Sequence, residues 1–442
     1  MKKYFIKTFG CQMNVYDSQR ISHILDNIGF IETSAPAEAD LIIFNTCHIR
    51  EKASEKLFSD LGRINLVKEE RAEKGLDTII GVVGCVVQAE DDQIAKRAPF
   101  VNFATGPLTY YRIPEILQKM AREKGICIID TDFPAESKFD FLPENRASGS
   151  CSFLPIQEGC NNFCTYCVVP YTRGIETSRP VEEILNEAKR LVDTGTLEIN
   201  LLGQNVNSYH GEDKSGIERN IAYLLRQLSE IEGLERLRYT TSYAADIDED
   251  LICCHRDLPQ LMPYVHLPIQ SGSDKILKAM NRRYNSAQYL EKIEKLKTAN
   301  PKIEFSSDFI VGFPGETDED FQATLDMVEK VGYIQAFSFK YSRRPGTPAA
   351  VYQNQVEEKI KKERLDILQE KLFSLQLSFN KDCVDRIMPV LFENTGKRKN
   401  QLFGRTPYMQ TLHATGGKEN LNKIKMVKIT DTSTNSLTGT IL

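Results

Sequence analysis

The chain of 442 residues has no tryptophan and six histidines, and no uncharged apolar run nears the ~18 residues of a membrane helix. The longest candidate, Thr78 to Ala89, is too short to span, and Lys7 breaks any apolar signal region in the basic N-terminus. Without tryptophan, aromatic contacts fall to 22 Phe and 17 Tyr. These absences exclude a helical membrane protein and predict a soluble, cytoplasmic one, expected to act as a monomer. Apolar residues at 41% and charged residues at 26% argue against long disordered tracts, and the length suits two or three domains. The eleven cysteines are too scattered for a disulfide scaffold, so metal binding is the better expectation. The formal net charge is −5, yet from Asn380 onward ten Lys and Arg stand against five Asp and Glu. A basic end on an acidic body suggests an appended module for a polyanion.

Along the chain, Tyr4–Phe9, Leu41–Phe44 and Thr78–Val83 read as buried parallel strands. Ile21, Ile24, Leu25 and Ile28 form the apolar stripe of a helix between the first two, and REKASEKLFSDLGRI supplies another. Residues 1–140 are therefore expected to form a doubly wound α/β domain, followed by an irregular linker at 134–150. From 146 to 376 the alternation restarts, with strands expected at Phe153–Gln157, Glu198–Leu202, Leu237–Thr241, Tyr264–Ile269, Glu304–Val311 and Ala336–Tyr341. A helix is expected from Ser178, with Pro180 in its first turn. Six βα units predict a partial (β/α)6 barrel with function at the C-terminal strand ends. A charged helix at 355–379 precedes short β-like runs with Gly and Asn turns, a small β-barrel pattern from about 377 to 442.

The strongest local signal is Cys160-Asn-Asn-Phe-Cys164-Thr-Tyr-Cys167, just after the first barrel strand. Three soft thiolates within eight residues suit an iron–sulfur cluster, or a zinc ion with a fourth ligand elsewhere. On a four-iron cluster they leave one iron open to a cofactor. Polar and small groups follow the later strands, in LLGQNVNSY, TTSY, HLPIQSGSD and DFIVGFPGET. They make Gln204, Asn205, Ser242, Gln270, Ser271 and Asp308 candidate cofactor contacts, with Gly312 and Gly315 allowing close backbone approach. Cys11, Cys47 and Cys85 share no motif, yet each directly follows an expected strand. The C-terminal ends of parallel strands share one edge, so the three sulfurs are expected to converge. Cys127, Cys151, Cys253, Cys254 and Cys383 read as core or incidental thiols. His48 and His266 read as structural, and no general base stands out.

CxxxCxxC with an aromatic before its last cysteine resembles the radical S-adenosylmethionine (SAM) superfamily. That resemblance implies a 4Fe-4S cluster whose open iron chelates SAM and whose electron cleaves it to methionine and a 5′-deoxyadenosyl radical. It places Tyr166 near the adenine. The order of the three units, over nearly the whole chain, resembles the methylthiotransferase family. Membership implies a second, auxiliary 4Fe-4S cluster on Cys11, Cys47 and Cys85, two SAM per turnover, and no catalytic side chains beyond the cluster ligands. It also implies an electron-donor protein such as flavodoxin or ferredoxin.

TFGCQMN, NTCHIREKASEKLFSDLGR, CTYCVVPYTRGIETSRP and RRPGTPAA resemble the subgroup that methylthiolates isopentenylated adenosine beside the tRNA anticodon. His48 and TTSYAAD, where His-Pro commonly follows TTS, depart from that pattern. The neighbouring alternatives are threonylcarbamoyladenosine in tRNA or an aspartate of a ribosomal protein. A non-catalytic, metal-dependent RNA-binding protein is the alternative from another class. The tail resembles a TRAM domain, a small RNA-binding barrel. Lys397, Arg398, Lys399, Lys423, Lys425 and Lys428 are its candidate phosphate contacts, and Arg343 and Arg344 are placed to hold a tRNA anticodon stem-loop near the radical site.

Overall fold

Strand β1 (Lys3–Thr8) starts a six-stranded parallel sheet, and the computed structural model describes residues 1–48, 51–123, 125–145 and 149–442. The sheet continues with β2 (Ile31–Glu32), β3 (Leu41–Asn45), β4 (Ile79–Val83), β5 (Phe103–Thr105) and β6 (Ile128–Asp130), in the order β2-β1-β3-β4-β5-β6. Helices α1 (Gln12–Asn27), α2 (Glu51–Glu73), α3 (Cys85–Arg97) and α4 (Ile113–Arg122) cross between strands. Side chains of β3 alternate between two cores. Ile42 and Phe44 pack with Leu57 and Leu61 of α2 and Val86 of α3, while Leu41 and Ile43 pack with Ile21 and Leu25 of α1 and Ile116 of α4. Helices on both faces make the unit doubly wound, as the sequence predicts.

The short strands β2, β5 and β6 escape periodicity because two or three residues carry too little pattern. Cys127, read from an apolar run, is exposed just before β6. The stretch at 134–150 is more anchored than its composition suggests. Its short 3-10 helix, Lys138–Phe141, buries Lys138, and Arg20 of α1 donates to the Pro143 carbonyl. The expected domain start at 146, like Ile49 and Arg50 of the long N-terminal motif, lies outside the described residues.

The central unit is two three-stranded parallel sheets. β7 (Cys151–Pro155), β10 (Glu198–Leu202) and β13 (Arg236–Thr240) form one; β14 (Tyr264–His266), β15 (Glu304–Val311) and β16 (Gln335–Lys340) form the other. A bridge between Leu237 and Leu261 joins them into an open, partial barrel. Helices α5 (Val169–Arg173), α6 (Val181–Asp193), α7 (Ile221–Ser229), α8 (Glu249–Asp257), α9 (Asp274–Ala279), α10 (Ser286–Ala299) and α11 (Asp318–Val331) wrap it. Two short antiparallel pairs, β8 (Gln157–Glu158) with β9 (Thr177–Ser178) and β11 (Gly211–Glu212) with β12 (Glu218–Arg219), flank it. The β8–β9 pairing holds Thr177 and Ser178 extended, so α6 starts at Val181 with Pro180 as its N-cap, three residues later than expected.

Helix α12 (Glu358–Asp382) leads into a closed barrel of β17 (Ile387–Thr395), β18 (Gln401–Arg405), β19 (Thr411–Thr415), β20 (Lys423–Thr432) and β21 (Ser436–Ile441). Its β18–β19 turn is held against the N-terminal ends of β10 and β13. Arg236 donates to the carbonyls of Pro389 at 2.8 Å and Arg405 at 3.2 Å. Arg238 donates to those of Pro407 at 2.7 Å and Thr406 at 3.1 Å, and both guanidiniums flank buried Glu198. The β17–β18 turn lies at the opposite end of the small barrel.

Candidate functional site

Cys160, Cys164 and Cys167 occupy a loop between β8 and α5. The Cys167 amide donates to the Cys164 carbonyl at 2.9 Å and the Cys160 amide to that of Gly174 at 3.2 Å, folding the loop back on itself. Burial pushes the Cys167 thiol up to about 12, with the nearby Cys164 and Cys160 sulfurs adding to the rise. Cys160 is likewise raised by burial and by Cys164. Cys160 and Cys167 therefore resist ionisation until a metal neutralises them. Arg282, which sequence reasoning missed, donates to the Cys164 sulfur at 3.6 Å.

The dispersed cysteines gather as the topology requires. Cys11 caps α1 after β1, Cys47 follows β3, and Cys85 opens α3 after β4, all on the C-terminal edge of neighbouring strands. The Cys11 thiol is lowered to about 6, chiefly by its hydrogen bond with the Cys47 sulfur and secondarily by Arg173, against the opposing effect of burial. Two glycines make room. Gly10 has φ +119°, and a Cβ there would strike Cys47. Gly84 has φ +106°, and a Cβ would lie 2.5 Å from the Thr46 carbonyl oxygen. Nδ1 of His48 lies 3.2 Å from Glu90 of α3, beside this edge.

Among the described residues, no three Cys, His, Asp or Glu side chains converge tightly enough for a single metal ion. A four-iron cluster asks for less convergence, because each thiolate binds a different iron. The donor chemistry of both triads, all thiolate, fits such a cluster.

Beside the local triad lies a cavity of about 500 Å³, lined by Tyr166, Cys167, Gln270, Asp308, Phe339 and Arg344 among others. Thus Tyr166, Gln270 and Asp308 face one space with a cysteine of the loop. Arg344 reaches its rim, while Arg343 is exposed. Asn205 instead lines a smaller cavity of about 300 Å³ with Asn161, Glu176 and Arg283, and its amide donates to Asp246 at 2.7 Å. Gln204 Oε1 and Ser242 Oγ are buried without a hydrogen-bond partner, as are both amide atoms of Gln157, a residue sequence reasoning passed over. Such orphaned atoms at strand ends fit a polar ligand that satisfies them.

Ser271 accepts from the Ser273 amide at 3.2 Å and lies 3.3 Å from the Thr324 hydroxyl of α11. At Gly312 the close approach is made by Lys361, since a Cβ would meet its side chain. His266 lies in the barrel wall, bonded to Ser306 at 2.8 Å and 3.7 Å from Asp308. Lys397, Arg398 and Lys399 are exposed on the β17–β18 turn. Lys423, exposed, and Lys425, half-buried, sit on adjacent β20, and Lys428 pairs with Asp385 at 3.1 Å.

Three family models match the chain: "Uncharacterized protein family UPF0004" over residues 3–106, "Radical SAM superfamily" over 154–328, and "TRAM domain" over 381–442. A tRNA-2-methylthio-N(6)-dimethylallyladenosine synthase of Rickettsia conorii is 53% identical over 444 residues, covering 100% of both chains. One from Agrobacterium fabrum is 52% identical over 99% of this chain and 96% of its own. The chain belongs to the radical-SAM methylthiotransferase family. Radical-SAM membership implies a 4Fe-4S cluster and SAM. Among solved structures, the radical SAM methyltransferase TsrM from Kitasatospora setae aligns with a TM-score of 0.57 at 13% identity, covering 79% of this chain and 77% of its own. The cobalamin-dependent radical enzyme OxsB aligns at 0.52 and 12% identity, covering 85% and 58%. At such identities these two likenesses concern the fold. No helix of the described residues is long and apolar enough to cross a membrane.

Proposed function

We propose that the chain converts N6-isopentenyladenosine next to the tRNA anticodon to its 2-methylthio form. The full-length identity to two synthases of that name carries this reading. Residues 1–140 hold an auxiliary 4Fe-4S cluster on Cys11, Cys47 and Cys85. Residues 146–376 hold the radical-SAM cluster on Cys160, Cys164 and Cys167, and residues 377–442 grip tRNA. When bound, the clusters and two SAM per turnover supply the radical, the sulfur and the methyl group. The chain's own residues bind and orient. Tyr166 and Gln270 border the SAM site, and the orphaned amide of Gln157, with Gln204 and Ser242, offers it hydrogen bonds.

Ile310 and Phe339 give the 500 Å³ cavity an apolar wall, while Lys340 and Arg344 give it a cationic rim. That combination suits an unstacked, prenylated base with its phosphates outside. The lysines and arginine of the β17–β18 turn and β20 add contacts to the anticodon stem that position the RNA without reading it. A flavodoxin- or ferredoxin-type protein supplies electrons to this monomeric, cytoplasmic enzyme. Mass spectrometry of nucleosides from tRNA treated with reconstituted protein tests the reading. The expected product is 2-methylthio-N6-isopentenyladenosine; methylthiolation only of threonylcarbamoyladenosine, or only of a ribosomal protein, would contradict it.

A further inference from the structure

The turn that closes helix α9, residues 279–283, clasps the local cysteine loop. The hydroxyl of Thr165 donates to the Ala279 carbonyl at 2.9 Å, and its amide to that of Met280 at 3.1 Å. Asn281, at φ +59°, turns its side-chain amide onto the carbonyls of Asn162 and Phe163, at 3.3 and 3.2 Å. Arg283 donates to Asn162 Oδ1 at 2.8 Å. Between these two, Arg282 reaches a sulfur, its Nη1 donating to Cys164 Sγ at 3.6 Å. The guanidinium is fixed by other bonds as well. Nε donates to the Tyr284 hydroxyl at 2.9 Å and Nη2 to the Pro268 carbonyl, while its central carbon lies 4.3 Å from the ring centre of Tyr243 and 5.0 Å from that of Tyr284. Arg283 is paired with Asp246 at 2.9 Å, whereas among the described residues no carboxylate pairs with the half-buried Arg282. A partly desolvated cation without a carboxylate, aimed at a loop of thiols, suits an anionic group on those sulfurs.

We propose that Arg282 is a positioning residue for the radical-SAM cluster: held by Tyr284 and Pro268, it donates to the Cys164 sulfur and raises that cluster's reduction potential. This rests on the reading of Cys160, Cys164 and Cys167 as cluster ligands. A fixed cation and an N–H···S bond stabilise the reduced state, which carries one more negative charge. The tyrosine rings and the carbonyl keep the planar fork from turning away, a geometry lysine reproduces only in its charge.

The test uses full-length protein with Cys11, Cys47 and Cys85 changed to alanine, so that only the radical-SAM cluster contributes to the signal, and with no SAM added. In this background, R282M keeps an aliphatic stem against the tyrosines but removes the charge and the donors. R282K restores a cation, and T165V cuts the bond to Ala279 while leaving Arg282 in place. Iron should stay at about four per chain in all four proteins. In a potentiometric titration followed by electron paramagnetic resonance, R282M should show about a tenfold lower reduced-to-oxidised ratio at a given potential, a shift of about 59 mV for one electron. R282K should recover part of that loss, and T165V should titrate like its parent. An unchanged midpoint in iron-loaded R282M overturns the proposal, as does no recovery in R282K or an equally large shift in T165V. Loss of iron from folded R282M overturns it in favour of a purely structural role. A shift that emerges only once SAM is added overturns it in favour of a contact with the cofactor. A folded parent without iron overturns the cluster assignment itself.

Discussion

The two cysteine triads reach similar chemistry from opposite directions. Cys160, Cys164 and Cys167 are neighbours in sequence, and a loop folded by its own amides is enough to assemble them. Cys11, Cys47 and Cys85 lie far apart, and only the parallel order β1-β3-β4 brings their strands to one edge. One site is encoded locally, the other by topology. The difference teaches that the dispersed triad depends on backbone fit between strands, so mutations that leave its sulfurs untouched should still break it. The local triad also receives an arginine from the central unit, Arg282 on the Cys164 sulfur.

The comparison breaks most completely by removing either triad. Reconstituted wild-type protein should carry about eight irons, and the triple alanine variant of either triad about four. Stoichiometric zinc with little iron would sink both assignments. Gly84→Ala sharpens the contrast without touching a ligand. Its Cβ would meet the Thr46 carbonyl in a backbone conformation that alanine resists, so the auxiliary site should lose most of its iron while the radical cluster stays loaded. Gln157→Ala, at the strand end below the local triad, should raise the KM for SAM by about tenfold, the scale of one buried hydrogen bond, with iron unchanged. Smallest of all, K397A/R398A/K399A should leave both triads and SAM cleavage intact. It should weaken tRNA binding and flatten its salt dependence by about 0.7 log units for each phosphate no longer neutralised, read from binding at several salt concentrations.

Much of this molecule was legible in its sequence where pattern and chemistry coincide. Glu198–Leu202 and Glu304–Val311 have the bounds expected, because their largely buried segments sit between helix patterns and turn residues that leave little choice. The punctuation of strand then cysteine, repeated at Cys11, Cys47 and Cys85, announced a shared edge. What escaped depends on partners distant in sequence. Ser178 reads as a helix start, yet pairing with Gln157 holds it in a strand. Residues 134–150 read as a linker, yet Lys138 is drawn inside by Asp17 and Glu158. Arg282 and Gln157 carry no motif that sets them apart from any surface arginine or glutamine; only a sulfur contact, or burial among unpaired polar atoms, marks them. Ser271 and Gly312 lie where the strand-end rule puts them; Ser271 Oγ accepts from the Ser273 amide and lies 3.3 Å from Thr324, and Gly312 faces the Lys361 side chain.

The central claim is a division of labour, with the local triad cleaving SAM and the dispersed triad handling sulfur. It is tested most directly by measuring 5′-deoxyadenosine and methylthiolated nucleoside side by side in folded Cys47→Ala and Cys164→Ala proteins under reducing conditions. The account predicts that Cys47→Ala still releases 5′-deoxyadenosine but forms no methylthio product, and that Cys164→Ala forms neither. Methylthiolation by Cys47→Ala at the wild-type rate, or 5′-deoxyadenosine from Cys164→Ala, would contradict it.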